Sequence, residues 1–316
     1  MQKHYLTIGI VILIALYTIV FVATRPKEAT APETKLEKSD EKSEEKIKVL
    51  VSILPQKELV KKIGGDRVSV TELVHPGESP ATYSLTAQDL MSIEKSDIYF
   101  RIGYIPFEKA HIEKITSTNP HLKVIEISEK THLRYFSEST ATEKHSDNHH
   151  NHNDNSIDPH LWLSIDNMII HANSIAEQLA ILDPKNASFY IENAMMYKNE
   201  LEILKTEISQ NLANITGKNL LVFHPAWGYF ADEHGLTQVA IEHNGNNPTA
   251  EQISAIIDDA RDKNMNVIFT QSQFSKTAAH NIANALGVPV VQINPLAENY
   301  IENMRIISQI IQQNIQ

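Results

Sequence analysis

Twice along this chain, short β-branched runs alternate with helix-like stretches, and one long amphipathic stretch without Pro or Gly stands between the two series. That rhythm restricts the fold to a pair of α/β units. The first series is KVLVSIL (48–54), VSVTELV (68–74), DIYFRIG (97–103) and LKVIEIS (122–128); the second is NLLVFHP (219–225), TQVAIEH (237–243), NVIFTQS (266–272) and PVVQIN (289–294). Strands separated by helices pair in parallel and are covered on both faces, and such sheets bind ligands beyond the carboxyl ends of their strands. Between the series, Ala187, Ile191, Ala194, Tyr197, Leu201, Leu204, Ile208 and Leu212 recur every three or four residues, and the stretch from Asp183 runs unbroken to Gly217. About thirty helical residues would span roughly 45 Å, enough for a spine shared by both lobes. The expected fold is therefore α/β, with two doubly wound four-stranded parallel-sheet lobes, one long spine helix and a ligand cleft between the lobes.

The ends of the chain have another composition. Leu6 to Thr24 carries no charge over nineteen residues, long enough as a helix to cross a hydrocarbon core of about 30 Å. Residues 1–24 are thus expected to be a membrane anchor or signal segment, the uncleaved anchor being favoured because Phe21 stands where signal cleavage wants a small residue. Residues 25–46, rich in Lys, Glu, Ser, Thr and Pro, have almost nothing to bury and read as a flexible tether. The folded part divides into an N-terminal lobe (47–165) containing a His-rich loop (143–156), linking helices with the spine (166–216), and a C-terminal lobe (217–316).

Charge and residue inventory narrow the chemistry. The formal net charge of −11 over 316 residues leaves no basic footprint for a nucleic-acid backbone. Cysteine is absent, which removes disulfides, thiolate metal sites, thiol nucleophiles and an acylated N-terminal cysteine. A metal must be held by histidine and oxygen donors, and the chain has 15 histidines. Four of them, His145, His149, His150 and His152, fall with Asp147 and Asp154 inside ten residues of linker composition, an exchangeable chelator without fixed geometry. His160, in Asp158-Pro-His160-Leu-Trp162-Leu-Ser, sits where the chain re-enters apolar sequence; read alone, it is equally a satisfied buried histidine. His224 ends an apolar strand just before a helix, the ligand-bearing edge of a parallel sheet. Glu242 ends the neighbouring strand and is the best oxygen donor on the same edge, with a hinge or solvent-facing carboxylate as the alternative. His75, His243 and Gln271 rank below it, and Trp162, Trp227, Tyr229 and Phe230 read as apolar walls.

From about Lys48 to the C-terminus these segments resemble the zinc- and manganese-binding solute-binding proteins of ABC importers, the cluster A-I group that includes zinc-uptake periplasmic proteins. The resemblance lies in PGESPATYS (76–84), the His-rich loop, DPHLWLS (158–164), FHPAWGYFA (223–231) and Pro295-Leu296. It implies two lobes on a rigid helix, one divalent ion in the cleft and delivery of that ion to a permease. It also implies a four-donor site, of which His160 and His224 match two positions. The first position is occupied here by Ala81, which has no donor, and the fourth by Asn294, an uncharged amide. The expected metal set is accordingly His160, His224, Glu242 and Asn294.

The resulting expectation is a monomeric, membrane-tethered receptor with both lobes extracytoplasmic at the cell surface. It captures a divalent metal, with Zn2+ favoured over Mn2+, and hands it to an ABC permease; no nucleic acid and no catalysis are expected. Two other functions fit the same residues. A surface zinc-dependent hydrolase would use His160, His224 and Glu242 with an open position for water, but the chain has no HExxH helix and no GxSxG elbow. A member of the family with an altered cleft would bind a different cargo.

Overall fold

The structure is a computed structural model that describes residues 45–136, 156–242, 249–273 and 276–315. All eight expected strands are present. β1 (Ile47–Val51), β2 (Val68–Glu72), β3 (Ile98–Arg101) and β4 (Lys123–Glu126) form one parallel sheet in the order β2-β1-β3-β4. β5 (Asn219–Val222), β6 (Thr237–Ala240), β7 (Ile268–Thr270) and β8 (Val290–Gln292) form a second in the order β6-β5-β7-β8. The two topologies are the same, and each reverses direction beside its first strand, between β1 and β3 and between β5 and β7. That reversal opens a crevice at the strand ends. Register follows the burial pattern: Val49, Leu50 and Val51 of β1 are buried and pair with β2 on one side and with Ile98, Tyr99 and Phe100 on the other.

Local chemistry starts the helices where the sequence changes character. α1 (Leu54–Gly64) has Pro55 in its first turn and buries Leu59, Val60 and Ile63. Thr86 caps α2 (Ala87–Glu94) through a reciprocal bond with Asp89, and α3 (Pro106–Thr118) again opens on proline. Ser164 caps α4 (Ile165–Leu182) by accepting from the Asn167 amide at 3.1 Å.

The spine is α5 (Ala187–Leu212), a 26-residue helix flanked by short 3-10 turns at Pro184–Asn186 and Ala213–Ile215. It buries Tyr190, Ala194, Tyr197, Leu201, Leu204, Ile208 and Leu212, so the expected stripe holds except in the first turn. There Tyr190 turns inward and bonds Asp183 at 2.8 Å, which leaves Ile191 on the outside.

The remaining helices belong to the C-terminal half: α6 (Gly228–Glu233), α7 (Ala250–Asp262), α8 (Lys276–Leu286) and α9 (Tyr300–Asn314). α5 packs against α1, α4 and α9, and one large apolar core runs from the first sheet through these helices to the inner side of the second sheet. A smaller cluster around Leu221, Phe223 and Ile268 lies on the other side, under α7 and α8. Glu58 of α1 ties the halves together by accepting from the Tyr300 amide at 2.5 Å and the Tyr197 hydroxyl at 3.3 Å. Lys61 reaches Glu298 at 2.6 Å across the same seam.

The apolar segment 6–24, the tether up to Glu44 and all of the His-rich loop except Ser156 lie outside the described residues. Among the described residues, no helix is long and apolar enough to cross a membrane.

Candidate metal centre

His224 stands two residues beyond β5. Its neighbour in space is set by the strand pairing continuing past the regular ladder: the Ile241 amide bonds Val222 and the Glu242 amide bonds Phe223 at 2.8 Å. That extension brings Glu242 alongside His224, and Glu242 Oε2 lies 2.6 Å from His224 Nδ1. His160 arrives from the other side, at the head of the 3-10 turn Leu161–Leu163. Its position is fixed by Asp158, whose Oδ1 accepts from the His160 amide at 3.0 Å and lies 2.8 Å from His160 Nδ1. The Trp162 ring packs beside His160 with centroids 5.3 Å apart, and its indole N–H bonds the Pro295 carbonyl at 2.8 Å. Both histidines are nearly enclosed, and Asp158 is wholly so.

The two rings meet through their outer nitrogens, with His160 Nε2 3.3 Å from His224 Nε2. The carboxylates decide what that contact is. An ionised carboxylate only accepts, so each Nδ1 must carry its hydrogen and donate it. With both rings neutral, each Nε2 presents a lone pair, and two lone pairs facing one another repel unless a proton or a metal cation sits between them. Nitrogens at about 2.05 Å from a tetrahedral zinc are separated by about 3.3 Å. The observed spacing equals that separation. Burial of the ring, with His160 facing it, lowers the His224 pKa against the opposing pull of Glu242, and a neutral imidazole is the form that binds metal.

The structure thus brings three of the four sequence-derived site residues together, in unequal roles. Glu242 occupies the nitrogen of His224 that points away from His160. For Asn294, Oδ1 accepts from the Leu296 amide at 2.9 Å and the carbonyl accepts from Asn303 at 2.7 Å. It lines a cavity of about 120 Å³ between the lobes, together with His75, Glu78 and Gln273. His75 there is engaged by Asp89 at 3.3 Å and set edge-on to Tyr83. Ala81 is exposed on the following turn, and His243 lies outside the described residues. Among the described residues, no group of three or more His, Asp or Glu side chains forms a metal-holding arrangement.

Two contributors were missed in the sequence, Asp158 and Arg134. Asp158 had a readable signal, since a carboxylate two residues from a candidate ligand is placed to hold its ring. Arg134 had none, being 24 residues upstream of Asp158 Oδ2, which its guanidinium reaches at 3.2 Å.

A two-lobed α/β protein with opposed, carboxylate-backed imidazoles has the make-up of a metal receptor. Comparison with known proteins supplies the family. The profile of the zinc-uptake complex component A periplasmic family matches residues 49–314, and the chain belongs to that family. It is a metal-binding substrate-binding protein of ABC-type transport, not an enzyme. A Chlamydia muridarum protein described as metal-binding is 27% identical over 81% of this chain and 87% of its own length. A manganese ABC transporter substrate-binding lipoprotein of Streptococcus mitis is 27% identical over 80% and 81%. A crystal structure of ZnuA superposes with a TM-score of 0.78 at 32% identity, covering 85% of this chain and 99% of that one.

Proposed function

We propose that this protein captures zinc, in preference to manganese, between His160 Nε2 and His224 Nε2 and delivers it to an ABC permease. The observation that carries the reading is the 3.3 Å approach of two nitrogens whose ring partners are both carboxylates. Nitrogen donors suit zinc, copper and nickel, whereas manganese favours oxygen. In this reading Glu242 and Asp158 stand behind the ligands: each fixes a tautomer and raises the basicity of the imidazole it holds. Water or other small oxygen donors complete the shell, because Asn294 spends its side-chain oxygen on its own loop.

The protein works at the cell surface, monomeric, with both lobes outside. The anchor we assign is the apolar segment 6–24, because a chain without cysteine has no acyl attachment point of the lipoprotein kind. The His-rich loop gathers ions.

Zinc calorimetry tests the reading directly. The full chain should show one tight site over a background of weaker binding from the His-rich loop, and the double variant His160→Ala, His224→Ala should keep only the background. Zinc at excess should also raise the melting temperature of the wild type and not of the double variant, since a ligand bound by the folded state alone stabilises it. Equal tight binding by both proteins would remove the cleft site.

A further inference from the structure

Arg134 lies outside the histidine pair and its carboxylates, yet it is the residue on which their arrangement converges. Its Nη1 bonds Asp158 Oδ2 at 3.2 Å, while the other oxygen of that fully buried carboxylate serves the His160 amide and ring. Its Nε bonds Asp232 Oδ2 of α6 at 2.9 Å. Between these two anchors the guanidinium lies directly on Gly228, where any side chain would collide with it. Backbone bonds fix the same residue from both sides: the Arg134 amide donates to the Tyr229 hydroxyl at 2.8 Å, and its carbonyl accepts from the Asp158 amide at 2.9 Å. Tyr229 in turn donates to the Asp158 carbonyl at 3.1 Å.

The elements joined in this way come from both halves of the molecule. Asp158 belongs to the segment that delivers His160, and α6 begins four residues after His224. Arg134 therefore straps the carrier of one imidazole to the helix that follows the other.

We infer that Arg134 is the positioning residue of the metal site: its fork holds Asp158 in the rotamer that orients His160, and its anchor on α6 sets that ring against His224. A planar guanidinium is the group for this work, because it bonds two acceptors in fixed directions where a lysine offers a point charge. Displacing a ligand by a fraction of an ångström is enough to spoil a two-imidazole site, and residues behind metal ligands typically account for about 10–100-fold in affinity. Arg134 acts one step further back, so a loss of roughly tenfold is expected.

This inference rests on the metal-site reading above, and the experiment separates the two. Zinc affinity is measured on the full chain and on Arg134→Ala, Arg134→Lys and Asp232→Asn, with His160→Ala, His224→Ala as the control. The ligand-field spectrum of each Co2+-saturated protein and the rate of zinc release to a chelator are recorded alongside. Arg134→Ala should bind zinc roughly tenfold more weakly, release it faster and show a shifted Co2+ spectrum at saturation. Arg134→Lys and Asp232→Asn should show the same changes at smaller size, and they give the reading if the alanine variant does not fold. A residue that merely supports the fold would lower the melting temperature with and without metal and leave the saturated Co2+ spectrum unchanged. An unchanged spectrum and affinity in the folded variants would overturn the inference alone. Wild-type binding that is indifferent to the His160, His224 control would overturn the metal site and the inference together.

Discussion

The two sheets share one strand order, yet their crevices have been put to opposite uses. Past β1, Ser52 and Tyr99 bond each other at 2.7 Å, and the Ser52 hydroxyl also donates to the fully buried Glu108. Glu108 then accepts from the Ile102 amide at 2.9 Å and the Gly103 amide at 2.5 Å. Burial raises the Glu108 pKa, against the hydrogen bonds that favour its ionised form. These groups past β1 and β3 are turned inward and satisfied. Past β5, the equivalent edge carries His224 with its carboxylate behind it and its outer nitrogen aimed at another segment. The same topology makes a sealed end in one lobe and a donor-bearing end in the other. What differs is whether the carboxylate at the edge is given enough backbone donors to consume it or is given a histidine to hold.

The sharpest way to break this comparison is to remove the ring. His224→Ala should abolish tight zinc binding, a loss of at least a hundredfold by calorimetry, with little change in the melting temperature of the metal-free protein. Glu242→Gln comes next: it keeps the shape and removes the negative charge, so affinity should fall about 10–100-fold while His224 stays in place. If Glu242 were instead a metal ligand in its own right, Glu242→Asp, which withdraws the oxygen from Nδ1, would be no worse than Glu242→Gln.

The sealed end makes the opposite prediction. Glu108→Ala orphans a buried hydroxyl and two backbone amides, which should destabilise the fold by about 3 kcal/mol in urea titration and leave zinc affinity within about twofold. A large loss of zinc binding there would mean that the two edges are coupled.

A last effect concerns buried histidines outside the cleft pair. Burial lowers the pKa of His171 to about 3 and that of His234 to about 4. The unfolded chain takes up these protons below about pH 6.5 while the folded state does not, so the folded state loses stability as pH falls from there. The slope should be about 1.4 kcal/mol per pH unit for each histidine, ending near pH 4 for His234 and near pH 3 for His171. Denaturant midpoints of metal-free His171→Phe and His234→Phe should show flatter pH profiles than the wild type over that window.

Much of this molecule was readable in advance, for reasons that can be named. Strands such as LLVF (220–223) are buried on both faces and must be apolar throughout, so their positions follow from composition alone. The spine was legible because a 26-residue helix samples its own periodicity many times; only its first turn misled, where Tyr190 answered to Asp183 instead of to the stripe. His160 and His224 were found because each stands at a boundary of an apolar run, His160 where one begins and His224 where one ends. The role of Glu242 was not readable, because strand ends place a residue on an edge without saying which nitrogen of a neighbouring ring it will meet. Asn294 drew attention through its place before Pro295-Leu296, and the structure shows that oxygen bonding the Leu296 amide.

Local sequence by itself determined the repeated α/β lobes, the long helix between them, the absence of thiolate chemistry and the two imidazoles offered for binding. These depend on periodicity and residue type, which are properties of neighbours along the chain. Tertiary structure decided the facing of the two Nε2 atoms, the carboxylate behind His224 and the strap made by Arg134. Those contacts join residues 64, 18 and 24 positions apart. Their distances are set by strand pairing and by how the elements pack on a common core, and a hydrogen bond tolerates an error of only a few tenths of an ångström.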